Sequence, residues 1–528
     1  MKPKANPPLT NLLLRYWFIP AFFILPGPGC APKQPAMPVL FDNLDPKAAG
    51  ITFQNDLYYT EAFNPYTFRN FFNGGGVGLG DVNNDGWVDI YFCGNLADNK
   101  LYLNRGNWQF EDVTEYAGVA SKGVWSTGVS IADVNGDGLL DIYICKSGEM
   151  QGENRHNELF INQGNDPAGR PKFLEQAEVF GLDDKGLSTH AAFFDYDKDG
   201  DLDCYLLNNS FRSVGGYDLI PGQRERRDTL GGNKLYRNEG EKFVDVSAEA
   251  GIYGSAIGFG LGVTIGDINR DGWQDIYVSN DFFERDYLYI NQKDGTFKET
   301  LETAMPEISL GSMGADMADI NNDGLPEVFV TDMLPEDDAR IKTTTTFENW
   351  DKYQLNLRNG YHRQFTRNVL QFNRGDGSFS EISRFAGVSA TDWSWGALMA
   401  DFDNDGLRDI FVANGIYKDL NDQDYIQFMG DPATIRAILQ RDNAVIKRLI
   451  DSIPSQAIPN YAFRNLGVDG NGIQFTNAAA DWGLNMPSWS NGSAYGDLDK
   501  DGGPRLGVNN VKMPPFFLRH RAGEWQGG

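Results

Sequence analysis

"DVNGDGLLDIYI", residues 133–144, sets Asp133, Asn135, Asp137 and Asp141 at positions 1, 3, 5 and 9 of a short loop and then runs into Ile-Tyr-Ile. Like charges this close repel unless a cation lies between them. Several hard oxygen donors in one flexible loop suit Ca²⁺, which takes six to eight oxygens. Gly138, at position 6, permits the sharp turn that returns the later donors to the ion, and the carbonyl of Leu139 at position 7 is the expected backbone donor. Mg²⁺ keeps more of its water and uses fewer carboxylates. Zinc favours His or Cys, which the loop lacks. One such stretch could be a solvated Asp/Asn/Gly turn. Its recurrence makes it a repeat.

The same spacing returns at Asp81, Asn83, Asp85 and Asp89; at Asp195, Asp197, Asp199 and Asp203; at Asp267, Asn269, Asp271 and Asp275; at Asp319, Asn321, Asp323 and Glu327; and at Asp401, Asp403, Asp405 and Asp409. A seventh copy has Asp497, Asp499 and Asp501 but carries Arg505 at position 9. The sequence therefore predicts calcium at six loops and leaves the seventh in question. An EF-hand would follow its loop with a helix and want Glu at position 12. Here the loops lead into IYFC, IYIC, CYLL, IYVS, VFVT and IFVA. These short β-branched and aromatic runs, apolar on successive residues, read as strands buried on both faces.

Three more short segments accompany each loop. Before it stands a small-residue stretch such as GVGLG, GVSIA or GVTIG, suited to tight packing. After it come segments such as NKLYLN (99–104) and NELFIN (157–162), then FEDVTEYAGV (110–119) or FVDVSAEAGI (243–252). Four strands per repeat, seven times over, predict an all-β, seven-bladed β-propeller. The longer intervals hold insertions at 335–366 and 421–458, the second with helical periodicity. The seventh repeat lacks a fourth strand of its own, and GITFQND (50–56) is expected to complete it and close the ring. The expected division is an export signal over 1–29, a linker over 30–49, the propeller over 50–520 and a tail over 521–528.

These repeats resemble the FG-GAP/VCBS family, the integrin α-like calcium propellers. GITFQND, EDVTEYAGV and DWGLNMPSWSNGSAYGDLDKDG are most similar to the cartilage acidic protein type. Bacterial relatives of that type often carry a further ASPIC/UnbV domain, which is expected to be lacking here. The resemblance implies a secreted or cell-surface binding and adhesion role.

The formal charge of −27 excludes a basic face for nucleic acid. Much of the imbalance sits in the loops, where bound cations would relieve it. Extracellular calcium modules bind with Kd of about 10⁻⁴–10⁻³ M, so occupancy calls for millimolar calcium outside the cell. Lys2, Lys4 and Arg15 followed by YWFIPAFFIL (16–25) form an export-signal pattern too short to span a bilayer. Cys30 is a candidate lipid-anchor position that would tether the chain at a bacterial outer membrane or cell surface. Cys93, Cys145 and Cys204 are expected to be buried free thiols, because matching points on adjacent blades lie too far apart for a disulfide.

Four histidines in no metal or triad motif, and no nucleophile elbow or P-loop, point away from an enzyme. A calcium-dependent polysaccharide lyase, or another carbohydrate-active propeller, is the alternative. Trp125, Trp393, Trp395, Trp482 and Trp489 stand before inner strands, and packing between blades is favoured over a sugar-stacking ring. The expected protein is a monomeric, exported, calcium-stabilised binding or adhesion module for a glycan or protein ligand.

Overall fold

The computed structural model describes residues 39–123, 125–148, 155–212, 222–346, 349–439, 443–469 and 472–521. The expected export signal, Cys30 and residues 522–528 lie outside the described residues. Each acidic loop is the bend of a hairpin between an inner strand and a second strand. The register is the same seven times: Gly80 faces Asp89, Ala132 faces Asp141, Phe194 faces Asp203, Gly266 faces Asp275, Ala318 faces Glu327, Ala400 faces Asp409 and Gly496 faces Arg505. Position 9 is thus the first residue of the second strand in every copy.

Third and outer strands complete seven four-stranded antiparallel sheets. Blade 1, for example, is built from Val77–Gly80, Asp89–Phe92, Lys100–Asn104 and Phe110–Asp112. The second strands are buried throughout, as their unbroken apolar runs foretold. Each inner strand touches the inner strands of two neighbours, which closes the ring. Five residues before the first loop aspartate, six blades place glycine. A Cβ on Gly314 would lie 2.1 Å from the carbonyl oxygen of Trp395 in the next blade. Blade 3 alone puts a larger residue there, His190, whose pKa burial pushes down to about 4.

Closure uses both ends of the described chain, but not the segment the sequence indicated. Phe41–Asn43 pairs antiparallel with Phe516–His520, and Asp42 reaches Arg519 and Arg521 at 3.0 and 2.5 Å. Residues 50–56 are therefore not the fourth strand of blade 7, and the expected linker over 30–49 contains that strand. Ile51 and Phe53 instead fill the wedge between blades 7 and 1, among Phe92, Phe110, Leu498 and Phe517. Asn55 forms a lone parallel bridge to Val511. The physical reason lies in the unit that follows the outer strand, a helical turn that in six blades ends in a glycine at the next blade's outer phenylalanine and in blade 4 ends in Met305. Gly483 meets Phe41 and Gly50 meets Phe110 in this way. GITFQND thus begins at the end of such a unit, and FDNLDPKAAGI (41–51) is the whole of it.

Antiparallel connectivity puts the acidic hairpins on one face and all second-to-third connections on the other. The insertions extend that second face. They hold helices Asp338–Thr344, Trp350–Arg358, Gln423–Met429, Pro432–Leu439 and Asn443–Ser452. Asp337, Asn349 and Asp422 cap their helices by accepting backbone N–H bonds. Arg340, in the first insertion, pairs with Asp392 before the blade 6 inner strand at 2.8 Å and with Asp419, just ahead of the second insertion, at 3.0 Å.

Residues 57–73 plug the ring's mouth on that face. Phe63, Phe68 and Phe71 surround Trp125 with centroids 5.2–5.3 Å away, and Phe72 packs on Tyr417, which packs on Trp489. Trp395 joins the same cluster, with Trp393 at its edge. These tryptophans are covered by the chain's own plug, whereas Trp482 is buried between blades 6 and 7 beside Phe41. Cys93, Cys145 and Cys204 are free and buried. No helix among the described residues is long and apolar enough to cross a membrane.

Candidate metal centres

In the blade 2 hairpin, backbone N–H groups hold the side-chain oxygens in place. Asp133 accepts from Asp137 N at 3.1 Å and Gly138 N at 2.8 Å, Asn135 accepts from Asp137 N at 3.1 Å, and Asp137 accepts from Leu139 N at 2.9 Å. Two left-handed residues make the bend: Gly136 at position 4 (φ 71°) and Gly138 at position 6 (φ 84°). Every copy repeats this pair. Position 4 is elsewhere Asn84, Lys198, Arg270, Asn322, Asn404 or Lys500, each at positive φ, and position 6 is always glycine.

Position 9 is bound from two sides. Asp141 accepts from Val134 N at 3.0 Å and from Asn162 N, on the third strand, at 2.8 Å. Asp89, Asp203, Asp275 and Asp409 make the same pair of bonds. All six acids at this position are at most 1% exposed. Burial, with the neighbouring loop carboxylates adding to it, raises their pKa values. Asp141 stands at about 6, Asp203 and Asp275 at about 7, and Asp89, Glu327 and Asp409 at about 8. Backbone N–H bonds oppose the rise without cancelling it.

The oxygen donors of these loops suit a hard divalent cation. Carboxylate oxygens of Asp195, Asp197 and Asp199, and of Asp401, Asp403 and Asp409, lie within 4.8 Å of one another. The buried Oδ1 of Asp195 has no hydrogen-bond partner. In blades 1, 2, 4 and 5 position 3 is asparagine, whose amide oxygen accepts from the backbone N–H of position 5. Blade 6 adds Arg464, whose Nε lies 2.8 Å from Asp403.

Blade 7 differs. Asp497, Asp499 and Asp501 converge as the others do, but Arg505 fills the space. Its Nη2 lies 2.7 Å from Asp499 and 2.5 Å from Asp501, and its Nη1 donates to Gly503 O at 2.7 Å. Two of the three loop carboxylates thus have a guanidinium of the same chain as counter-charge.

The sequence reading gave no role to the asparagine that ends the third strand. In each of six blades its Nδ2 donates to the position 2 carbonyl of the preceding blade. Asn104 reaches Leu498, Asn162 reaches Val82, Asn238 reaches Val134, Asn291 reaches Tyr196, Asn373 reaches Ile268 and Asn465 reaches Ile320. The same amide also bonds the position 8 carbonyl of its own loop. The loops are thus wired into the contacts between blades. The signal was present as the recurrent final Asn of NKLYLN, NELFIN and their counterparts. His520 takes this place in blade 7.

A model of the FG-GAP-like repeat matches residues 81–144, 267–330 and 357–412. The chain carries FG-GAP repeats. Curated relatives agree with this. Cartilage acidic protein 1 of Homo sapiens is 22% identical over 391 residues, covering 64% of this chain and 56% of the relative. Cartilage acidic protein 1 of Mus musculus is 22% identical over 466 residues, covering 79% and 66%. Integrin alpha-6 of Homo sapiens is 34% identical over 87 residues, covering 15% and 8%. The chain spans about half to two thirds of the length of the cartilage acidic proteins it matches. Among solved structures, an Agrocybe aegerita lectin recognising non-reducing terminal N-acetylglucosamine aligns with TM-score 0.37 and 15% identity, covering 65% of this chain and 77% of the lectin. BBS1N in complex with ARL6DN aligns with TM-score 0.42 and 9% identity, covering 91% and 97%.

Proposed function

We propose that this FG-GAP propeller is a calcium-stabilised, non-enzymatic adhesion module, exported to a bacterial cell surface, that engages a protein or glycan partner through its insertion face. The observation that carries the reading is the separation of the two faces. One face holds six oxygen-lined hairpins of identical register, each wired into a blade-to-blade contact, which is the arrangement of a structural cation. The other face carries the plug and the helical insertions, where Trp350, Ile426, Phe428 and Ile435 are exposed. Large exposed apolar side chains on loops of a rigid scaffold are where partners bind. A basic start, an apolar run and Cys30 support export and a lipid tether.

Cells displaying the chain should adhere to glycan- or protein-coated surfaces in millimolar calcium and detach in EGTA. Trp350→Ser with Phe428→Ser should abolish adhesion at an unchanged melting temperature. Adhesion indifferent to both perturbations would overturn the proposal.

A further inference from the structure

We infer that Arg505 is a covalently supplied cation standing in for the metal of blade 7, so that the blade joining the two ends of the ring closes without calcium while the other six depend on it. The inference rests on the calcium reading of those six loops. Three observations carry it. First, the guanidinium engages Asp499, Asp501 and the carbonyl of Gly503, which are positions 3, 5 and 7 of the loop. Those are the donors that a bound ion would use. Second, the loop keeps the shape of a metal hairpin. Lys500 and Gly502 hold the two left-handed positions (φ 61° and 87°), and Asp497 accepts from Asp501 N and Gly502 N as Asp133 does from Asp137 N and Gly138 N. Third, Arg505 is fully buried and in register with the acids of the other blades. A guanidinium stays charged at any accessible pH and cannot leave, so the loop is neutralised permanently.

Blade 6 provides the contrast. Arg464 also touches Asp403 and Asp405, but Asp409 remains at position 9 and its oxygen still converges with those of Asp401 and Asp403. There the arginine accompanies an acidic site, whereas in blade 7 it replaces the acid. The location matters because blade 7 contains the seam. Its third strand, Phe516–His520, pairs on one side with Arg505–Asn510 and on the other with Phe41–Asn43. A permanent cation beside that seam keeps the ends joined when calcium falls.

Bound calcium per chain, counted by elemental analysis after equilibrium dialysis of the full chain at millimolar calcium, tests this. Asp137→Asn in blade 2 should lower the count, while Asp501→Asn in blade 7 should leave it unchanged. Arg505→Asp should add one ion and make the melting temperature more sensitive to EGTA. A count of seven in the unaltered chain, or a lower count in Asp501→Asn, would overturn the inference and leave the calcium reading intact. So would a folded Arg505→Asp chain, by circular dichroism, that gains no ion. No bound calcium at all would overturn the calcium reading itself, and the role of Arg505 as a substitute with it.

Discussion

Asn162 is the place to test whether the loops and the ring stand or fall together. Its Nδ2 donates to Val82 O of blade 1 at 2.8 Å and to Leu140 O of its own loop at 3.1 Å, and its Oδ1 accepts from Gly164 N at 2.9 Å. The side chain is 3% exposed, so water has little access to the groups it would abandon. Asn162→Ala removes three hydrogen bonds, each worth about 0.5–1.5 kcal/mol net, and leaves two buried carbonyls short of a donor. The expected loss is about 2–4 kcal/mol. Asn162→Asp should cost more, because it sets a carboxylate against those carbonyls and beside Asp141, in a site that excludes solvent. Urea denaturation in saturating calcium measures both, read as a shift of midpoint at constant slope. A loss below about 0.5 kcal/mol for Asn162→Ala, or an aspartate variant milder than the alanine one, would refute the idea that this amide joins the blades.

Calcium removal should act on all six loops at once. With Kd of about 10⁻⁴–10⁻³ M, 5 mM calcium stabilises by about 1–2 kcal/mol per site, or about 6–12 kcal/mol for six. Thermal melts in calcium and in EGTA should therefore differ by many degrees, and equal melting temperatures would remove the metal from the account. His190 makes a pH prediction. Its folded pKa of about 4 lies below the free value near 6.5. Its contribution is therefore complete above 6.5 and lost as pH falls toward 4. His190→Gln should lose less stability than the unaltered chain between pH 6.5 and 4.5, measured by denaturant midpoint, and parallel losses would count against it. Phe71 is fully buried in the plug, so Phe71→Ala should cost about 3–5 kcal/mol and expose Trp125 to acrylamide quenching. Unchanged quenching would show that the plug does not seal the mouth.

The hairpins, the second strands and the count of blades were readable because each is a local pattern repeated seven times. Spacing of carboxylates, a glycine at position 6 and an apolar run need no long-range information. The closing strand was harder. Phe41–Asn43 is only three residues long, and two of its side chains are polar, so neither alternation nor β propensity marks it. What identifies it is the unit around it, FDNLDPKAAGI, an echo of FEDVTEYAGV that runs one residue longer. The helices of residues 338–358 escaped notice because their faces are largely exposed and give little periodicity. Arg505 was visible as a breach of pattern, but its meaning was not. An arginine at position 9 reads equally as a lost site or a filled one, and only its direction decides. Because the guanidinium turns inward onto Asp499 and Asp501, the breach becomes a charge substitution. His520 stands beside the same change: at position 9 Arg505 offers no acceptor for its backbone N–H, whereas in five other blades an aspartate there accepts from the third-strand asparagine. Both departures of blade 7 from the repeat lie in the blade where Phe41–Asn43 pairs with Phe516–His520 and closes the ring.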